Sequence, residues 1–440
     1  MSRIAEYLKG KNVLILGYGR EGQSTLAYLR RVLPEQRFAV ADRQQITVAD
    51  DNVDVFFGED YLSRLGDYDV VIKSPGIPFL ADVTWPETTE ITCQTDLFLR
   101  FCDPVVVGVT GTKGKTTTST LIHRMLRAGG VNAVLIGNIG VPVLEQADAG
   151  SDLVAVVEMS SHQLEFCHAS PHVAVLLNLY QEHLDHYKNG YEGYRDAKLN
   201  IARFQGPDDY FIYDDTQETD IEIPWDDVAV ANRLPNWSAF ARDDVFINEL
   251  WQSSEHLKGE FNRHDIAYAA TAAALFGVDD DAIREAVRTF PGIEHRMEFV
   301  GKFGGVAYYN DSIATVPTSA IGAVNAIGNV GSHIFGGLDR GIDYTGFIEF
   351  LKTNDVPVLI GLPDTGYTIC DALADSGKTL YKAADMEDAV RFAAAHTPAG
   401  QSCLFSPAAA SYNHYKNFEE KGRHFKTLVR ALGDPADAQS

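Results

Sequence analysis

Short, nearly uninterrupted apolar runs recur along the chain, and several lead into a glycine-containing turn and then a stretch with apolar residues at helical spacing. Runs such as Leu153 to Val157 and Val173 to Leu177 are nearly continuous in apolar residues, which fits strands covered on both sides of a parallel sheet. The pattern predicts an α/β fold of repeated strand–turn–helix units. In the first segment, strands are expected at residues 12–16, 38–41 and 69–73, with a helix ending near Arg31. A second segment opens at Pro104 with strands at 105–109, 153–157 and 173–177. Between residues 204 and 251 the rhythm dissolves into acidic and aromatic pieces, read as short antiparallel strands and loops. Helices at 262–275 and 280–289 follow, and Pro291-Gly292 breaks the chain. The last segment carries strands at 305–309, 333–335, 356–360 and 402–405, a helix over 413–432, and a frayed tail after Gly433. Three domains are expected, with boundaries 1–103, 104–291 and 292–440.

Composition narrows the partners. Hydrophobic residues make up 45% of the 440 and charged residues 22%, enough apolar surface for packed cores. Lys and Arg total 37 against 61 Asp and Glu, a formal net charge of -24 that repels nucleic acid and anionic membranes. The N-terminus lacks the blocks of a signal peptide, and no stretch approaches the roughly 18 apolar residues of a membrane span, so a cytoplasmic protein without membrane insertion is expected. Five scattered cysteines without metal-ligand spacing read as reduced thiols.

The strongest chemical signal is Gly108-Val109-Thr110-Gly111-Thr112-Lys113-Gly114-Lys115-Thr116-Thr117, a strand entering a glycine-rich turn and a helix near Thr116. It is a P-loop variant. Backbone N–H groups freed by Gly111 and Gly114 converge on phosphate oxygens, Lys115 reaches the terminal phosphates, and the Thr116 hydroxyl can ligate Mg2+. Glu158 closes a buried strand, the edge at which open α/β sheets bind ligands, and an acid there can complete the Mg2+ site. His183 follows the next strand of the same domain; Lys198, by composition alone, is an ordinary helix-face lysine. Near the start, Gly17-Tyr18-Gly19-Arg20-Glu21-Gly22 with Asp42 has the form of a dinucleotide fingerprint, but its turn suits any diphosphate. An NAD-dependent dehydrogenase would leave the P-loop without a role.

In this order the motifs resemble those of the Mur ligases, the bacterial enzymes that build the peptide of peptidoglycan, over nearly the whole chain. The resemblance rests on residues 111–117, Gly137-Asn138-Ile139-Gly140, Glu158-Met159-Ser160-Ser161-His162-Gln163-Leu164-Glu165, Glu182-His183-Leu184-Asp185 and Ala197-Lys198-Leu199. Later come His295-Arg296-Met297-Glu298, Asn310-Asp311-Ser312, Gly336-Gly337, Ser406-Pro407-Ala408-Ala409-Ala410-Ser411 and Lys416-Asn417-Phe418-Glu419. Within the family the branch adding glutamate to UDP-N-acetylmuramoyl-L-alanine is the most similar. The resemblance implies a Rossmann-like N-terminal domain for the UDP group, a central P-loop ATPase domain and a Rossmann-like C-terminal domain for the amino acid. It further implies a monomeric ligase that uses ATP and Mg2+, forms an acyl phosphate and serves cell-wall synthesis, and hence cell shape and division.

Carried over by position, the resemblance assigns Gly17, Tyr18, Asp42, Arg43, Ser74, Pro75, Gly76 and Asn138 to the UDP substrate. ATP falls to Gly111, Thr112, Lys113, Gly114, Lys115, Thr116, Thr117, Asn262, Arg296 and Asp311. Lys115, Glu158, His183 and Lys198 carry catalysis; Thr116, Glu158, His183 and Lys198 as a carbamate surround the metal. Thr315, Arg340, Ser411, Tyr412 and Phe418 face glutamate. Ile313 and Arg340 stand where better-known members carry lysines, Tyr412 replaces an aliphatic residue, and Phe261 and Asp265 replace a His and an Asn on the adenine side. D-glutamate is the expected acceptor. L-glutamate addition, a folylpolyglutamate synthase-like ligase, and a nucleotide-binding module without catalysis are the alternatives.

Overall fold

The computed structural model describes residues 2–79, 83–182, 186–213, 232–235, 244–257, 260–411 and 414–433. They fall into two compact units, Met1–Phe290 and Pro291–Ser440.

The first unit holds two parallel sheets. After helix α1 (Arg3–Leu8), strand β1 (Val13–Leu16) enters α2 (Arg20–Val32), followed by β2 (Phe38–Asp42), β3 (Val53–Phe57), β4 (Val70–Lys73), β5 (Glu90–Thr92) and α3 (Gln94–Phe101). The sheet order is β3-β2-β1-β4-β5. Every residue of β1 and β4 is buried, as a strand covered on both faces requires. Arg30 and Arg31 in the last turn of α2 complement its dipole.

The second sheet is built from β6 (Val105–Thr110), α4 (Lys115–Ala128), β7 (Ala133–Gly137), β8 (Val154–Glu158), α5 (Ser161–Leu164), β9 (Val173–Leu176), α6 (Tyr191–Arg203), β10 (Tyr210–Tyr213), β11 (Asn232–Pro235), α7 (Asp244–Ser253), α8 (Glu260–Ala274) and α9 (Asp280–Arg288). Its order is β11-β10-β9-β6-β8-β7. β6 therefore lies between β8 and β9, and the chain leaves it in opposite directions across the sheet, which opens a crevice at the strands' carboxyl ends.

The expected antiparallel strands and loops of residues 204–251 are corrected here. β10 continues the parallel sheet beside β9, β11 pairs parallel with β10, and α7 is a helix. Phe211, Ile212 and Tyr213 are all buried, so this run packs on both faces. Phe246, Ile247 and Leu250 give α7 its apolar face. Residues 214–231 and 236–243 lie outside the described part.

The second unit has β12 (Glu298–Phe303), β13 (Val306–Asn310), α10 (Pro317–Ile327), β14 (Val330–Phe335), α11 (Thr345–Thr353), β15 (Val358–Gly361), α12 (Thr365–Ala372), β16 (Thr379–Lys382), α13 (Met386–His396), β17 (Ser402–Phe405) and α14 (Phe418–Arg430). The order is β12-β13-β17-β14-β15-β16, parallel except for the edge strand β12, which pairs antiparallel with β13. The helix expected over 413–432 starts at Phe418, where the Asn417 side chain accepts from the Glu420 N–H at 2.9 Å. The tail after Gly433 lies outside the described residues.

No helix among the described residues is long and apolar enough to cross a membrane. All five cysteines are free thiols, as expected, and only Cys102 is less than fully buried.

Candidate active site

The P-loop hangs between β6 and α4. Gly111 (φ 156°) and Gly114 (φ 85°) take conformations that side chains rarely adopt, and a Cβ on Gly114 would stand 2.5 Å from Asp265 Oδ1. Asp265 Oδ1 in turn accepts from the Thr118 hydroxyl at 3.0 Å, fixing the first turns of α4 against α8. Lys115 folds back, its Nζ donating to the carbonyls of Gly111 (2.9 Å) and Thr112 (3.0 Å). Asn178, just past β9, brackets Lys113: its Oδ1 accepts from the Lys113 N–H at 2.8 Å and its Nδ2 donates to the Lys113 carbonyl at 3.1 Å. Thr112 is held by the Tyr194 hydroxyl (2.8 Å) and the Tyr180 N–H (2.9 Å). Thr116 and Thr117 open α4 half-buried, and Asn262 lies on α8, buried.

Lys198 crosses from α6 to this loop, donating to the Gly111 carbonyl at 2.8 Å and to Thr110 Oγ1 at 3.2 Å. It is 1% exposed, and burial, followed by the charge of Lys115, pulls its ammonium well below the usual lysine range.

Glu158 ends β8 next to β6. It is 2% exposed; its Oε1 accepts from Asn138 Nδ2 at 2.7 Å, while Oε2 is buried with no hydrogen-bond partner among the described residues. A buried carboxylate oxygen left unpaired beside a phosphate-type loop is a group that a cation would satisfy. Lys115, Thr116, Glu158 and Lys198 thus gather around one loop; His183 lies outside the described residues.

A cleft of about 430 Å³ in the same unit is lined by Gly17, Asp42, Ser74, Pro75, Gly76 and Asn138 together with Arg20, Glu21, Ile77 and Gly140. Six of the eight residues assigned to the UDP substrate are therefore neighbours. Gly17 adopts φ 89°, and a Cβ there would meet Ser74 Cβ at 2.8 Å. Tyr18 contributes its backbone, donating N–H to Asp42 Oδ2 at 2.7 Å. Arg43 does not line the cleft; it is exposed and paired with Glu59 at 3.2 Å. The reading from sequence passed over Arg20, whose Nη1 donates to the Gly140 carbonyl at 2.9 Å, although its place inside the glycine motif marked it.

In the second unit, His295 and Met297 take positive φ values of 65° and 43° on either side of Arg296. The Met297 N–H donates to Asp311 Oδ1 at 3.1 Å and the Ser406 hydroxyl to Asp311 Oδ2 at 2.7 Å. Burial pushes the Asp311 carboxyl up to about 6, opposed by those two bonds and by the charge of Arg296. Leu338 pairs with Ala410 in an isolated bridge, which brings the segment of Arg340 beside that of Ser411. Arg340 is exposed; Ser411 is buried, with no partner for its Oγ among the described residues; Phe418 meets His295 edge-on at 5.9 Å. Thr315 is half-buried just before α10, and Tyr412 lies outside the described residues. Lys421, one turn past Phe418, was not anticipated: buried, it donates to the Gly336 carbonyl at 2.9 Å, and burial lowers it to about 8. Glu294, His295 and Glu298 cluster at metal-ligand distances, but Lys426 bonds both carboxylates at 2.7 and 2.9 Å.

Residues 109–225 match the Mur ligase middle domain, and residues 295–409 the Mur ligase glutamate ligase domain. A UDP-N-acetylmuramoylalanine--D-glutamate ligase from Symbiobacterium thermophilum is 37% identical, with 85% of this chain and 87% of that protein aligned. One of the same name from Acetivibrio thermocellus is 33% identical, with 97% of each covered. Among solved structures, UDP-N-acetylmuramate-alanine ligase MurC from Thermotoga maritima superposes with a TM-score of 0.55 at 16% identity, covering 96% of this chain and all of that one. A MurF ligase from the same organism, in complex with ADP, gives 0.52 at 16% identity over 96% and 95%. At that identity the structures establish the three-sheet α/β fold; the relatives above 30% identity establish more, and this chain belongs to the Mur ligase family.

Proposed function

We infer that the protein is an ATP-dependent ligase that joins D-glutamate to UDP-N-acetylmuramoyl-L-alanine through an acyl phosphate, a step in making peptidoglycan precursors. The observation that carries this reading is the name shared by relatives 30–37% identical over 85–97% of the chain. The P-loop, Glu158 and Lys198 supply chemistry suited to that reaction.

The donor carboxylate and the γ-phosphate of ATP are both anionic, so their approach has to be screened. The P-loop amides and Lys115 would hold the phosphates. Glu158 Oε2, the Thr116 hydroxyl and, by the resemblance, His183 would hold an Mg2+ ion, which would neutralise charge on the phosphates. Lys198 would enter as a carbamate. Its burial and the nearby Lys115 favour the neutral amine, the form that adds to CO2 and releases a proton, turning a disfavoured cation into an anion. Ser74 to Gly76, Gly17 and Asn138 would hold the UDP-linked donor. Arg340, Ser411 and Phe418 would take the acceptor, with Arg296 and Asp311 on the nucleotide side.

The test is phosphate release with ATP, Mg2+, UDP-N-acetylmuramoyl-L-alanine and either D- or L-glutamate. Release that needs the donor and the D-enantiomer is expected. Release with L-glutamate alone would reassign the acceptor, and Ile313 and Arg340 are where that change would originate; release with neither rejects the reading.

A further inference from the structure

The two sheets of the first unit meet through a part-buried charged network that none of the assigned residues belongs to. Lys73, the last residue of β4, donates from Nζ to Glu165 Oε2 at 3.1 Å; its side chain is 1% exposed, that of Glu165 15%. The same Oε2 lies 3.4 Å from Nε2 of His186. The ammonium lies 5.4 and 5.3 Å from the ring centroids of Phe79 and Phe166. Burial draws the Lys73 ammonium down against the pull of Glu165, whereas hydrogen bonds from His186 and Lys73 outweigh burial and keep the Glu165 carboxyl below the usual range.

The three residues stand at telling places in the chain. Lys73 directly precedes Ser74-Pro75-Gly76, which line the donor cleft. Glu165 directly follows α5, seven residues after Glu158, and His186 lies three residues after His183. α5 is pinned a second time: Gln163, which closes a capping box with Ser160, donates from Nε2 to Glu21 Oε1 at 2.6 Å, and Glu21 lines the donor cleft. One carboxylate on the segment after β8 therefore contacts both the carboxyl end of β4 and the segment after β9.

We propose that Glu165, through Lys73 and His186, is a positioning residue that sets the donor cleft against the Glu158 segment of the phosphate site. The inference rests on the ligase reading. Acyl transfer to phosphate needs the donor carboxylate, anchored on the first sheet, in line with a phosphate anchored on the second, and a misplacement of about 1 Å costs on the order of 100-fold. Hydrophobic contact between the sheets resists separation but sets no register; a buried ion pair with a shared acceptor does, because any slide leaves a charge uncompensated.

The test compares the full-length wild type, Glu165→Gln, and the double variant Lys73→Met/Glu165→Leu for donor, ATP and glutamate kinetics and for thermal stability. For Glu165→Gln, kcat is expected to fall roughly 10- to 100-fold and the donor KM to rise, with the ATP KM within about twofold. The double variant, which removes the charges together, is expected to keep wild-type stability yet stay slow. Recovery of kcat along with stability in the double variant would make the network mere packing and overturn the proposal, as would a Glu165→Gln enzyme at full rate. If Glu165→Gln does not fold, the double variant decides alone. A wild type inactive with this donor would sink the ligase reading instead.

Discussion

The side-chain amide of Asn138 donates to one oxygen of the Glu158 carboxylate at 2.7 Å, and among the described residues the other oxygen is buried and unpaired. The backbone repeats the tie, the Asn138 N–H donating to the Glu158 carbonyl at 2.9 Å. Asn138 also lines the cleft proposed for the donor, so one residue touches both that cleft and the proposed metal ligand. Removing it frees the carboxylate to turn. Asn138→Ala is expected to lower activity roughly 10- to 100-fold and to raise the Mg2+ concentration needed for half-maximal rate. A phosphate-release titration with Mg2+ measures both, and an unchanged Mg2+ dependence would show that Asn138 does not orient Glu158.

Lys198→Ala is expected to cost roughly 100- to 1,000-fold in rate, since it removes a charge that the reaction needs in a dry site. Acetate or formate should restore part of it by standing in for the carbamate. The check is a rescue series in a variant shown to be folded and to bind ATP; no rescue at any concentration counts against the carbamate.

Gly114 caps α4 in the left-handed region with Asp265 Oδ1 close by. Gly114→Ala adds about 1–2 kcal/mol of backbone strain and a contact that forces Asp265 or the loop to shift. ATP affinity should fall by roughly tenfold or more while the donor's is kept, because only the P-loop amides move. Calorimetric titration of each ligand separates the two; equal losses would mean general unfolding.

Asp311 predicts a pH effect on stability. The native state keeps its proton up to about pH 6, while an unfolded chain releases it near about pH 4. Raising the pH through that window therefore costs native stability, and the cost persists above it. Asp311→Asn keeps acceptors and donors for Met297 and Ser406, and should stabilise the protein at pH 7–8 by about 1–3 kcal/mol relative to wild type, with the gain vanishing below about pH 4. Urea unfolding of both proteins across pH gives the difference; a pH-independent gap would show that Asp311 carries no raised pKa.

Much of this molecule is set by local sequence. A run such as Val105 to Val109 has no polar face and becomes a central strand wherever its neighbours come from; Gly111 and Gly114 permit a turn that few other residues could adopt, and Lys115 with Thr116 follows it into the helix. The motifs after each strand pointed to the glycine turn, to Glu158 and to six residues that line one cleft for the same reason, since strand ends are where parallel sheets present side chains to ligands. Short or half-exposed strands carried too little pattern. β3, with a half-exposed face, the three-residue β5, and the edge strands β12 and β16 went unread, and aromatic residues in β10 and α7 hid a strand and a helix.

Strand order was settled only in three dimensions. Periodicity says that a segment is buried and not which strand it lies beside, so nothing in the chain from Gly111 to Lys198 announces that the lysine reaches the Gly111 carbonyl across 87 positions. The same holds for Glu165. As sequence it is a polar residue after a short helix; its charge acquires meaning only where folding desolvates it between Lys73 and His186, because a buried charge requires a partner and the partner comes from another sheet.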